Sequence, residues 1–139
     1  MSAGRGITHS EYNSSKTNPL ELFQLWIETA RPEITPRHET REIKLKNNQI
    51  TQVVSGNKKD NLLFINQDAT ISLGEFSEKQ KIDYKVSNNR GVFIFVIEGN
   101  VDVEEVILSR RDSIEIANAT NVVINVRPDS YLMVVDVPL

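Results

Sequence analysis

Two histidines, nineteen acidic residues and no cysteine bound the chemistry open to this chain. Without cysteine, disulfide frameworks, thiolate zinc sites and cysteine nucleophiles are excluded. The arrangement with most chemical content is His9-Ser10-Glu11. Residues two apart on a strand point to the same face, so one imidazole and one carboxylate could chelate a single ion. On its own, a His-x-Glu pair in a chain of this size is common enough by chance to mean little. The second histidine, His38, lies in Pro36-Arg37-His38-Glu39 and reads as a surface loop residue. Glu104 and Glu105 adjoin; alternating across a strand, they do not form the paired carboxylates of an acid/base site. Asp112 reads as the cap of a tight turn, and Phe23 and Trp26 read as core rather than as a cofactor platform. No catalytic residue is assigned.

The elements that must position these residues are mostly strands. From about Leu62 onward, short apolar runs alternate with turn signals at the spacing of a barrel or sandwich. Leu62-Leu63-Phe64-Ile65 is the first run, and Ile71 and Leu73 follow in alternation. Ile82, Tyr84 and Val86 alternate with polar residues, which gives one buried face. Asn88-Asn89-Arg90-Gly91 is a turn cluster, and Val92 to Ile97, apolar on both faces, predicts a central strand. Glu98-Gly99-Asn100 turns the chain again, and four more alternating stretches end at Val135. Nothing in this half holds a helical period over three turns.

The first third reads less plainly. Asn18-Pro19 before Leu20 to Glu28 has the form of a helix start, with Asn as N-cap and Pro at the first helical position. The same stretch also works as a strand buried on both faces. Ile43 and Leu45 alternate with charged residues as a strand does, and Ser55 to Asp60 predicts a polar loop.

At 139 residues the chain has room for one domain with a real core. A hydrophobic share of 39% and a charged share of 25% are those of a soluble globular protein. No apolar run reaches the length of a membrane span, and the opening Met1 to Gly6 has no signal-peptide core behind its single charge. These features predict a cytoplasmic protein. The net charge of -3, with sixteen basic residues interleaved among nineteen acidic ones, argues against nucleic acid as a partner. Lys44, Lys46, Lys58, Lys59, Arg110 and Arg111 come nearest to clusters and read as solvated faces or loop tips.

Two groups of segments carry a family resemblance. Gly4-Arg5-Gly6-Ile7-Thr8-His9-Ser10-Glu11, followed by Leu22-Phe23-Gln24-Leu25-Trp26-Ile27 and Ile34-Thr35-Pro36-Arg37, resembles the pirin family. There, a Gly-x-Gly-Ile-x-His-Ser-Glu segment precedes a Leu-Gln-x-Trp-Ile strand and a proline-bearing loop. Ile65 to Ala69, Val96 to Val101, Arg111 to Ile114 and Val135-Asp136-Val137-Pro138 are similar in order to the C-terminal cupin of pirin-like quercetin dioxygenases.

The resemblance implies an all-β cupin, a jelly-roll barrel with an N-terminal strand extension. It implies three regions: residues 1–46 as the end of an N-terminal cupin, 47–60 as a loop-rich connection, and 61–139 as the C-terminal barrel. Under it, Leu22 to Ile27 is a strand. Pirin-like proteins hold an iron-type metal through three histidines and a glutamate. The His-Ser-Glu part of that set matches His9 and Glu11, while the His-x-His strand that supplies the other two has no counterpart in this sequence. Iron or another divalent metal at a partial site, or none held tightly, is therefore the cofactor expectation. With half the ligand set, the chain reads as a non-catalytic binding or assembly module. It would pair through residues 7–27 with a second copy or with a complementary cupin chain. The alternative is a subunit of a metal-dependent quercetinase-type dioxygenase completed by another chain, with a flavonoid-like small molecule as substrate.

Overall fold

The structure, a computed structural model, describes residues 1–58 and 62–139. The end of the expected Ser55–Asp60 loop, with Lys59, lies outside the described residues. Among those described, all regular structure is β, as the alternating sequence predicts, and no helix is long and apolar enough to cross a membrane.

Ten strands form two sheets. They are β1 (Gln49–Ser55), β2 (Leu63–Phe64), β3 (Thr70–Phe76), β4 (Gln80–Lys85), β5 (Arg90–Glu98), β6 (Asn100–Val103), β7 (Val106–Ser109), β8 (Ser113–Ile116), β9 (Asn121–Val126) and β10 (Ser130–Pro138). One sheet has the order β2-β1-β3-β10-β5-β8 and the other β4-β9-β6-β7. Apart from the parallel β1–β2 contact, all pairings are antiparallel.

The core follows from strand parity. Val92, Ile94 and Val96 on β5, Leu132 and Val134 on β10, and Val122, Ile124 and Val126 on β9 are fully or nearly fully buried in one cluster. Alternate residues of β5 and β10 point the other way, and there Ile97, Met133 and Val135 form a second apolar cluster with Phe93, Phe95 and Tyr131 around it. β5 is thus apolar on both faces because each face of its sheet is covered, as expected for a central strand. The β5–β6 turn requires its glycine. Gly99 has φ of 79°, and a Cβ there would stand 2.7 Å from the Asp129 carbonyl oxygen.

Four expectations change. Residues 47–60 are not simply a connection: Gln49–Ser55 is β1, paired with β3 inside the larger sheet, so the barrel begins earlier than the sequence suggested. The sparse alternation of β1, with Gln49, Thr51 and Gln52 among its residues, hid it. Leu22 to Ile27 is neither strand nor helix. A strand exists only by pairing, and among the described residues no neighbour pairs with this segment. Ile43 and Leu45 likewise lie outside any strand. Glu104 and Glu105 do not alternate along a strand but form the β6–β7 turn, with φ of 47° and 69°, a backbone that matches strand twist in tight hairpins.

Candidate functional site

His9 and Glu11 stand on the N-terminal segment, outside the barrel and largely exposed. Their side chains approach, with His9 Nε2 4.0 Å from Glu11 Oε1. The other carboxylate oxygen of Glu11 accepts a 2.7 Å hydrogen bond from Gln24 Nε2. His38 is exposed in its loop, near Thr40 rather than His9, with Thr40 Oγ1 and His38 Nε2 3.4 Å apart. His9 and Glu11 thus lie near each other on a segment that is not the strand the sequence suggested, and His38 stands apart from them.

In kind, an imidazole and a carboxylate fit a divalent ion. Neighbouring ligands on an ion with bonds of about 2.1 Å stand roughly 3 Å apart. The 4.0 Å separation needs only a modest rotation of two exposed side chains to close. No group of three or more His, Cys, Asp or Glu converges among the described residues. The described residues thus offer two donors of kinds that suit a divalent ion and no converging third.

The segment carrying this pair is strapped to the barrel. Phe23 sits edge-on against Phe95 of β5, with ring centroids 5.2 Å apart, and the Arg111 guanidinium lies 4.9 Å over the Phe23 ring. Glu21 pairs with Arg111 at 2.9 Å and with Arg110 at 3.6 Å, and both arginines also meet Glu98. Farther along, the Ala30 N–H donates to the Asn66 carbonyl and Gln67 Nε2 donates to the Glu28 carbonyl, at 2.8 and 2.9 Å. Ser2 and Arg37 form an isolated antiparallel bridge, and Arg37 Nη1 donates to the Phe64 carbonyl. The arginine pair 110–111 is therefore committed to carboxylates rather than presented as a basic patch.

Trp26 overturns one expectation. It is 90% exposed rather than core, and Tyr12, Leu20 and Leu22 are also more than half exposed. Phe23 is not core either: it is 43% exposed and rests on the outer surface of the barrel against Phe95. Asp112 caps its turn as expected: its carboxylate accepts from the Ser109 N–H at 2.9 Å. Sequence reasoning missed Gln24, although it stands inside the Leu22 to Ile27 stretch that carries the resemblance. It also missed the Phe95–Phe23–Arg111 stack, for which no short-range signal exists. A groove of about 430 Å³ opens between Ala30, Arg31 and Ile34 on one side and Phe64 to Asp68 on the other. Neither His9 nor Glu11 lines it.

Comparison with known proteins places these observations in a lineage. Residues 52–137 match the family described as the quercetinase C-terminal cupin domain, and residues 1–27 match the family described as pirin. A quercetin 2,3-dioxygenase of Escherichia coli K12 is 34% identical over 139 residues, covering 99% of this chain and 59% of its own length. A putative quercetin 2,3-dioxygenase of Pseudomonas aeruginosa is 27% identical over 99% of this chain and 60% of its own length. Among solved structures, YhhW from Escherichia coli superposes with a TM-score of 0.76 at 26% identity, over 81% of this chain and 48% of that one. The same bacterial pirin in complex with nickel(II) superposes with a TM-score of 0.73 at 25% identity, over 79% and 47%. The chain thus spans less than two thirds of the length of these relatives. The two-sheet architecture is that of a cupin, as the resemblance implied.

Proposed function

The chain belongs to the pirin-type quercetinase family of cupins, and on that premise we propose that it is an assembly module, not catalytic by itself, that pairs through residues 7–27. One observation carries this reading: Leu20, Leu22 and Trp26 are all exposed on the strap, Trp26 by 90%. Large exposed apolar patches mark interaction surfaces. Covering one indole removes about 200 Å² from water, roughly 5 kcal/mol at 25 cal/mol per Å² before ordering costs. The partner that fits is a second copy of the same segment. Light scattering on the purified chain should give a dimer mass, and the double substitution Leu22→Ser, Trp26→Ser should return a monomer. A wild-type monomer at every concentration reached would sink the homodimer.

A second reading is favoured by the His9–Glu11–Gln24 geometry. The chain would contribute two donors to a metal-dependent quercetinase-type dioxygenase, and a His-x-His strand from a complementary cupin half would contribute the rest. A divalent ion bound there would supply Lewis-acid polarisation of an oxygen-bearing substrate. His9 and Glu11 would hold it, and Gln24 would hold Glu11. The nickel complex of the bacterial pirin and the activity named for the Escherichia coli relative support this reading.

A further inference from the structure

We propose that Gln24 is a positioning residue for that half-site: its amide turns the Glu11 carboxylate so that one oxygen is kept for an ion shared with His9, and the barrel in turn sets Gln24. The inference rests on the half-site reading and goes beyond it, since it names what orients the carboxylate. Gln24 Nε2 donates to Oε2 of Glu11 at 2.7 Å, while Oε1 is the oxygen 4.0 Å from His9 Nε2. A carboxylate in water presents either oxygen, or both, to a cation. One donor fixed on Oε2 breaks that equivalence and turns Oε1, the oxygen nearer His9, into the less encumbered ligand atom. The donor is also neutral. An arginine or lysine there would hold the carboxylate equally well but would cancel the charge a cation needs. A glutamine orients without neutralising.

The contact spans thirteen positions of sequence, so it depends on where the strap lies. Gln24 follows directly on Phe23, which is held between the Phe95 ring and the Arg111 guanidinium. Glu21, three positions earlier, is ion-paired to Arg111. The anchored stretch therefore fixes the backbone from which the Gln24 amide reaches. By this route a barrel with no histidine of its own sets the direction of a ligand on a different segment.

The test uses the full chain, isotope-labelled, with Mn²⁺ alone as the probe and paramagnetic broadening of the His9 ring protons as the readout. In Gln24→Leu, which keeps the size and removes the donor, the Mn²⁺ midpoint should rise about tenfold, the range seen when a hydrogen-bond partner of a metal ligand is lost. The melting temperature should not move, because Gln24 is exposed. Arg111→Met, which loosens the anchor but keeps the amide, should shift the midpoint in the same direction by less. Equal broadening in wild type and Gln24→Leu would overturn the positioning role while leaving the half-site standing. Absence of broadening at His9 in the wild type would overturn the half-site and the role together.

Discussion

Arg90 and Asp136 occupy positions whose strand neighbours are aliphatic and buried. On β5 the core-facing series runs through Val92, Ile94 and Val96, and on β10 through Leu132 and Val134. The same parity carries a guanidinium and a carboxylate to one end of the barrel interior, where an unpaired charge would be costly. The pair solves this mutually. Arg90 Nε donates to Asp136 Oδ1, Nη1 donates to Asp68 at 2.9 Å, and Nη2 donates to the Asp136 carbonyl at 3.2 Å. Tyr84, on the facing sheet, shares this end. Burial, and then the nearby Asp136 carboxylate, push its phenol up to about 12, against an ordinary value of about 10. A group whose folded value is raised stabilises the fold fully below its unfolded value and loses that contribution as pH rises through the folded one. Stability from Tyr84 is therefore complete below about pH 10 and is lost toward about pH 12. Ultraviolet titration should place one phenolate transition near the upper value, and Tyr84→Phe should remove it and flatten the alkaline fall in stability. A Tyr84 transition at the ordinary value would contradict the buried placement.

At the scale of elements, the strands and the strap differ in what holds them. β5 and β9 are fixed by ladders on both sides and by side chains with no exposed surface. The strap has no ladder over residues 19–28 and depends on a few discrete contacts. Of these, the Phe23 ring makes both an aromatic pair and a cation–π contact, worth together roughly 1–2 kcal/mol. Phe23→Ala should release the strap and leave the barrel intact. The amide of Ala30, which donates to Asn66, should then exchange about tenfold faster, the rate change equivalent to about 1.4 kcal/mol. Core amides such as that of Ile94 should be unchanged. Faster exchange throughout the sheets would mean instead that the strap is an integral part of the barrel. The strands were legible because alternation is a local property that sheet burial imposes directly. The strap was not, because Leu22 to Ile27 has the composition of a buried strand, and composition carries no record of whether a pairing partner is present. β1 failed in the opposite sense: its polar residues face a half-covered surface and its register breaks between Gln52 and Val54, so its pattern is weak although it pairs with β3 along most of its length.

On the scale of the whole molecule, the two histidines and the barrel core are separated. Both histidines precede β1, and the barrel interior is packed with Val, Ile and Leu rather than lined by metal donors. The barrel's contribution is a rigid outer face on which the strap rests. The dioxygenase reading makes a definite demand on this arrangement. Mixing the chain with a pirin-type N-terminal cupin half that carries a His-x-His strand should give a complex that retains iron or nickel, measured by elemental analysis after gel filtration. His9→Ala should abolish the retained metal without dissolving the complex. A stable complex with no metal would remove the dioxygenase reading and leave assembly as the function.

The amino-acid sequence by itself determined the all-β class, the positions of most barrel strands and the turn at Gly99. Each is a property of neighbouring residues: period-two burial and positive φ at a glycine. Only the tertiary structure decided that Trp26 stands in water while Phe23 is seated on Phe95, that Arg90 and Asp136 share the barrel end with Tyr84, and that Gln24 donates to Glu11. Those facts depend on contacts between residues distant in the chain, and their energy comes from surfaces and charges that meet only after the two sheets have closed.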